Sequence, residues 1–216
     1  MSSGTTAPGP AAGSAYPLRR RAGGKRRDEV LDHVIAVIAD RGYDRTRFTD
    51  VAKVSKVAVS TLQFHFGSHE DMLIEALHRS TEREVSAMEA VVGPDDPPWR
   101  TLTALVDRAL DPEARVTGRM LLEFWHACAR DPELRDVGAV LCDRYRQPFV
   151  AAIRAGIDRG DFTTDSDPVD LVTVLNGILE GLIIPRVLDH DYYDPPKVRA
   201  IVLRALAALL GVPPTT

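Results

Sequence analysis

Apolar residues in this chain recur three and four apart from Leu31 to Leu209, and no stretch of useful length alternates apolar and polar with a period of two. That rhythm follows the 100° turn of an α-helix and leaves no half-buried strand, so the spacing predicts an all-α fold. Leu31, Val34, Ile35 and Ile38 form the buried stripe of a first helix, and Gly42 stands where its C-cap belongs. Two short helical segments follow, at about 48–55 and 59–65. Neither is long enough to be stable alone, so both are expected to pack on the first helix. Ser68, with Asp71 in the capping-box position, opens a longer helix that carries Leu73, Leu77, Val85 and Met88 to about Val92, where the Pro-rich stretch 93–98 must end it.

The remainder reads as further helices. Trp99, Leu102, Leu105, Val106 and Ala109 mark one, and Asp111-Pro112 supplies an N-cap and a Pro at N1 for the next, in which Val116, Met120, Phe124 and Cys128 step by four. Asp131-Pro132 is expected to open a short turn before a helix carrying Leu141, Tyr145, Phe149, Ile153 and Ile157, kinked near Gln147 by Pro148. Asp167-Pro168 and Asp194-Pro195 announce the last two helices, with apolar faces Leu171, Val174, Leu175, Ile178, Leu182 and Val198, Ile201, Val202, Ala205, Leu209.

A chain of 216 residues with 44% hydrophobic residues can bury a core without metal or disulfide. Cys128 and Cys142 show neither CxxC nor zinc spacing and read as two buried thiols in a reducing cytoplasm. Residues 1–18 have no apolar h-region and the composition of a disordered segment, and no run of about 18 uninterrupted apolar residues occurs, so neither a signal peptide nor a membrane span is expected. Charge is graded along the chain: residues 1–27 carry +6, residues 28–66 carry −1, and residues 67–216 carry −9. The acidic bulk argues against general affinity for nucleic acid. A basic arm (Arg19, Arg20, Arg21, Lys25, Arg26, Arg27) on a near-neutral unit suggests that one end alone meets a polyanion, although a solvated tail explains it as simply.

Three helices within about 40 residues, the second and third very short, have the spacing of a helix-turn-helix that sets its last helix in the major groove. The stretch RGYDRTRFTDVAKVSKVAVSTLQFHFGSHEDML resembles the N-terminal signature of TetR-family transcriptional regulators, through Gly42-Tyr43, Val51-Ala52, Thr61-Leu62, His65-Phe66 and Ser68. The sequence departs from that pattern at Lys56, where glycine is usual and φ > 0 is expected; at Ala58-Val59, in place of Ser-Lys; at Gln63-Phe64, in place of Tyr-His; and at His69, in place of lysine.

The resemblance implies that Thr49, Lys56, Ser60, Thr61, Gln63 and His65 lie near DNA. Gln63 suits an adenine edge, whose N6 and N7 an amide can pair bidentately, with a solvated glutamine as the plain alternative. Arg47, Lys53 and the arm at Arg26 and Arg27 would hold phosphates or reach a minor groove. Phe48, Leu62 and Phe66 read as core.

From Leu121 to Leu134, and again at Gly160-Asp161-Phe162, the chain looks like the BetI-like branch of that family. This implies an effector inside the helical domain and a four-helix dimer interface made by the last two helices. Gly177 and Gly181, with Leu182, Ile201, Ala205 and Leu209, are the expected interface, though an intrachain packing groove accounts for the two glycines almost as well. Met120, Phe124, Trp125, Tyr145, Phe149, Asn176 and Leu179 are the expected ligand-pocket residues, aromatics with a few polar groups suiting a small-molecule site.

The reading is therefore a basic arm over 1–27, a helix-turn-helix domain over 28–70, and a helical ligand-binding and dimerisation domain over 71–216. Its function would be that of a cytoplasmic, homodimeric repressor released from a palindromic DNA operator by a small-molecule effector, with no cofactor, no metal and no catalytic residue. Two rivals stand beside it. One is a helical ligand-binding protein whose DNA contacts have weakened at Lys56, Val59 and His69. The other is a metal-dependent bundle enzyme using Glu75 with His78 and Glu123 with His126, four groups that helical geometry instead turns toward solvent or a partner.

Overall fold

The computed structural model describes residues 25–91, 93, 95–111 and 115–212. It contains α1 (Lys25–Arg41), α2 (Phe48–Ser55), α3 (Val59–Phe66), α4 (His69–Ala90), α5 (Pro98–Ala109), α6 (Arg115–Arg130), α7 (Pro132–Asp158), α8 (Pro168–Gly181), α9 (Ile183–Val187) and α10 (Pro195–Leu209). Among the described residues there is no strand, as the apolar period requires. The expected disordered stretch 1–18, Arg19, Arg20, Arg21 and the Pro112 helix start lie outside the described residues.

Local chemistry sets the helix ends. Ser68 Oγ accepts the Asp71 N–H at 2.9 Å, and Asp167 Oδ1 accepts the Val169 N–H at 2.7 Å, so two orphan donors of α4 and α8 are satisfied by the predicted caps. Ala58, the N-cap of α3, offers no side-chain acceptor. Lys56 adopts the left-handed conformation at φ 56°, as its place in the α2–α3 turn predicts. At the end of α7, the N–H groups of Asp161 and Phe162 both return to Gly156 O, and the Phe162 ring lies where a Cβ on Gly156 would stand. Only glycine fits there.

Several expectations are corrected. Asp131-Pro132 does not open a turn ahead of a separate helix: α7 starts at Pro132 and continues through Pro148 to Asp158. A five-residue helix, α9, stands between the two helices expected last. Pro168–Val187 is long and apolar enough to cross a membrane by length and composition, with mean hydropathy 1.5, which the search for uninterrupted apolar runs overlooked. In the fold that segment is two helices that meet at Leu182, a third of it buried within the protein.

Two hydrophobic clusters make the core, and they do not divide at residue 70. The first joins Leu31, Val34 and Ile38 of α1, Leu62 and Phe66 of α3 and Leu73 of α4 to Met120, Phe124 and Cys128 of α6 and Leu134 and Leu141 of α7. The second joins Met88 of α4, Leu102 and Val106 of α5, Phe149 and Ile153 of α7, Leu175 of α8 and Leu206 of α10. Helix α6 thus shares a core with the N-terminal helices, and α4 and α7 run through both clusters. The expected boundary at residue 27 likewise falls inside α1.

Candidate nucleic-acid interface and ligand cavity

Helix α3 buries Leu62 and Phe66 and turns Ser60, Gln63 and Phe64 outward, at the i, i+3, i+4 spacing of one face. Phe64 is 73% exposed and meets the His65 ring edge-on with centroids 5.7 Å apart. An aromatic ring left in water on a helix whose other face is fully buried was not among the expected contact residues, and its i+4 spacing from Ser60 was the signal for it. Thr61 and His65 are half-buried at the edges of that face. On and beside α2, Arg47, Thr49, Lys53 and Lys56 are all exposed. Arg47 donates to Asp44 O at 3.2 Å, and the Asp50 carboxylate accepts the Arg47 N–H at 3.1 Å and pairs with Arg41 at 3.0 Å, which fixes the start of α2.

Arg26 is exposed, but Arg27 is not part of a free arm. Its Nη2 lies 2.5 Å from Glu75 of α4, and its guanidinium stacks 5.1 Å above the Phe66 ring, with both charged side chains largely buried. Arg27 therefore docks α1 onto α3 and α4 instead of projecting outward. His69 is also turned inward: Nε2 lies within hydrogen-bond reach of Thr46 O, and its ring meets Phe48 edge-on. The imidazole thus secures the α1–α2 loop, where a lysine could have reached outward.

A cavity of about 950 Å³, its open mouth included, lies where the two core clusters meet. Six of the seven expected residues line it, namely Met120, Phe124, Trp125, Tyr145, Asn176 and Leu179. Phe149 does not: it has no exposure and packs within the second cluster, one helical turn beyond Tyr145. Sequence reasoning missed the polar wall formed by Thr81, Glu84, Cys142, Glu180 and Arg186. Glu84 is buried and bonded to Arg108 at 2.6 Å; burial pushes its carboxyl above the ordinary range, partly opposed by the charges of Arg108 and Arg186. Burial likewise raises the Glu180 carboxyl and the Tyr145 hydroxyl, and lifts the Cys142 thiol to about 11. At that value the thiol is protonated at neutral pH.

Helices α4 and α6 each present one face to this cavity and the opposite face to the N-terminal unit. On α6, Thr117, Gly118, Met120, Leu121, Phe124 and Trp125 line the cavity. Arg119, Glu123, His126 and Arg130 fall within about 60° of one another on the other side at 100° per residue. They reach Ala39 O at 3.4 Å, the Tyr43 N–H at 2.7 Å, and Asp44 Oδ2 at 3.9 Å and 3.5 Å, respectively. On α4, Leu77, Ser80, Thr81 and Glu84 line the cavity, while Glu75, Arg79 and Arg83 hold Arg27, Asp28 and Asp32 of α1. The two Glu-x-x-His pairs are used in these contacts, with His78 placed 3.6 Å from Glu82.

On α8 and α10, Val174, Gly177, Gly181, Ile201 and Leu209 are exposed, with Leu182 and Ala205 half-buried beside them. Among the described residues, no heavy atom beyond the helix's own backbone and the adjoining residues lies within 4 Å of a Cβ placed on Gly177 or Gly181, so these glycines face open space within the protomer.

A short outward-facing third helix, braced on two longer helices that also wall an internal cavity, is the arrangement of a one-component DNA-binding regulator. The comparisons are specific. The profile of the bacterial regulatory proteins of the tetR family matches residues 30–76, and that of the C-terminal region of BetI-type transcriptional repressors matches residues 98–211. The chain belongs to the TetR family and is a DNA-binding transcriptional repressor. It is 27% identical over 145 residues to the HTH-type transcriptional repressor KstR2 of Rhodococcus jostii (strain RHA1), which covers 66% of this chain and 70% of that protein. It is 30% identical over 108 residues to the repressor KstR of Mycolicibacterium smegmatis, covering 49% of this chain and 53% of that one. Among solved structures, a transcriptional regulator from Saccharomonospora viridis in complex with choline superposes with a TM-score of 0.78 at 26% identity, over 86% of this chain and 97% of the other.

Proposed function

We propose that a homodimer of this chain holds two copies of α3 in successive major grooves of a pseudo-palindromic operator, and that an effector in the cavity between the clusters releases it. The observation that carries this reading is the two-faced character of α4 and α6. A molecule that moves Met120, Phe124 or Trp125 acts on the same rigid helix whose opposite side holds Ala39, Tyr43 and Asp44. The effector then shifts a population between two spacings of the α3 helices, provided that it binds the released spacing more tightly.

On the DNA side, Gln63 reads a base edge, and Phe64 supplies the apolar surface that suits a thymine methyl group. Ser60, Thr61 and His65 flank them, while Thr49, Lys53, Lys56, Arg47 and Arg26 set the register on phosphates. The exposed apolar face of α8 and α10 at Gly177, Gly181, Leu182, Ile201, Ala205 and Leu209 is the dimer interface, since such a face covered by a second copy escapes water. Residues 28–70, with Arg26 of the preceding arm, carry the DNA contacts and residues 71–216 the effector and dimer surfaces, with α6 as the link between them. The site of action is the cytoplasm. Selection of duplexes from a random pool by the purified protein tests this function. An enriched palindrome whose affinity falls at least tenfold with Gln63→Ala is the expected result; no enrichment at low salt would instead favour a ligand-binding protein with decayed DNA contacts.

A further inference from the structure

Among the described residues, two that line the cavity each carry a buried polar atom without a hydrogen-bond partner, Arg186 at Nε and Asn176 at Oδ1. Both belong to one stripe of α8 and α9, in which Asn176, Leu179, Glu180, Ile183 and Arg186 face the cavity at i, i+3, i+4, i+7 and i+10. Arg186 is only 8% exposed, and a guanidinium cannot shed its charge to suit such a position. Its Nη1 donates to Ala109 O at 2.9 Å. The buried carboxylate that feels its charge, Glu84, is already bonded to Arg108, which also meets Asp111 at 3.1 Å. A buried donor left in this state costs free energy until an acceptor arrives.

We infer that the effector is an amphipathic acid, with an extended apolar body against Met120, Phe124 and Trp125 and one carboxylate received by the Arg186 Nε–H. This rests on the cavity being the effector site. The same wall opposes a cation: Arg186 repels it, Glu84 is engaged, and the remaining lining carboxylate, Glu180, has its proton held by burial, with Arg146 opposing that shift only in part.

The test titrates the full-length protein with decanoate, decanol, decyltrimethylammonium and choline, all below micellar concentrations, and follows the tryptophan fluorescence, to which Trp125, its ring 5.3 Å from that of Phe124, contributes beside Trp99. The expected result is decanoate binding about tenfold or more tightly than decanol, with both ammonium compounds weaker than decanol. In Arg186→Gln the preference for decanoate should vanish while decanol affinity is kept. Equal binding of decanoate and decanol by the unaltered chain, a measurement that needs no variant to fold, overturns the acid while leaving the cavity as an apolar site. Preference for either ammonium compound overturns it in favour of a cationic effector. If none of the four binds and none alters operator affinity, the cavity reading falls as well.

Discussion

The carboxylate of Glu123, in the middle of α6, accepts the backbone N–H of Tyr43 at 2.7 Å, across 80 residues of sequence. Tyr43 follows Gly42, whose φ of 88° ends α1, and the N–H of Gly42 returns to Ile38 O at 2.8 Å. The first free amide beyond α1 is thus held by a helix that walls the cavity. Glu123→Ala should cost about 1–3 kcal/mol, the usual magnitude for losing a charged acceptor from a part-buried donor. Glu123→Gln, which keeps an acceptor, should cost less. Urea unfolding of both variants checks the order, and an unchanged midpoint for Glu123→Ala would show that the bond does not secure the loop.

Phe64→Ala should leave stability within about 0.5 kcal/mol, because the ring is exposed, and should weaken operator binding by about tenfold. Lys53→Ala should weaken all duplexes alike and flatten the log-log salt dependence by about 0.9. Fluorescence anisotropy over a range of salt separates the two effects. A change in salt slope for Phe64→Ala would mean that the ring acts by positioning a phosphate contact.

Lys56 holds a left-handed conformation that glycine adopts without strain. Lys56→Gly should raise stability by about 0.5–1 kcal/mol while lowering DNA affinity through the lost charge. Thermal unfolding and binding should therefore move in opposite directions.

Gly177→Arg meets open space within its own chain and replaces a helix breaker, so the protomer should stay folded and gain roughly 0.5–1 kcal/mol of helix propensity. On the proposed dimer face, the same side chain places a charge between two apolar surfaces. Sedimentation should show a folded monomer. A persistent dimer would place the interface elsewhere.

Burial raises the Glu180 carboxyl above its ordinary 4.5, with Arg146 opposing the shift only in part. The native state therefore keeps a proton that the unfolded chain has released. Stability from this group is fully present below pH 4.5 and is lost as pH rises through the native value. Glu180→Gln removes that loss, so its melting temperature should fall less than that of the unaltered chain between pH 4.5 and pH 7. A steeper fall would mean that the carboxylate is stabilised by an ion pair once charged.

Local register was legible from residue order alone. The 3, 4 apolar rhythm placed the helices, because a helix face repeats with a fixed angle whatever it packs against. Ser68 and Asp167 announced their caps, and Lys56 its left-handed turn, because those contacts close within a few residues. The helix through Pro148 was legible from its step of four, but its start at Pro132 was not, since Asp-Pro opens a turn or caps a helix according to what packs beyond it. Six of the seven aromatic, amide and apolar pocket positions expected from the sequence line the cavity, for the same reason of periodicity.

The charged residues were decided by tertiary structure. Arg27 looked like an arm residue and is clamped to Glu75, 48 positions away; Arg186 and Glu84, to which the sequence pointed no role, are buried in the cavity wall. A long ionic side chain carries no period that distinguishes solvent from a distant partner, and its role is fixed only when folding brings that partner within a few ångströms. The sequence by itself determined which faces are apolar and where the capped helices α4 and α8 begin. The tertiary structure decided that α4 and α6 would each have the cavity on one side and the DNA-binding unit on the other.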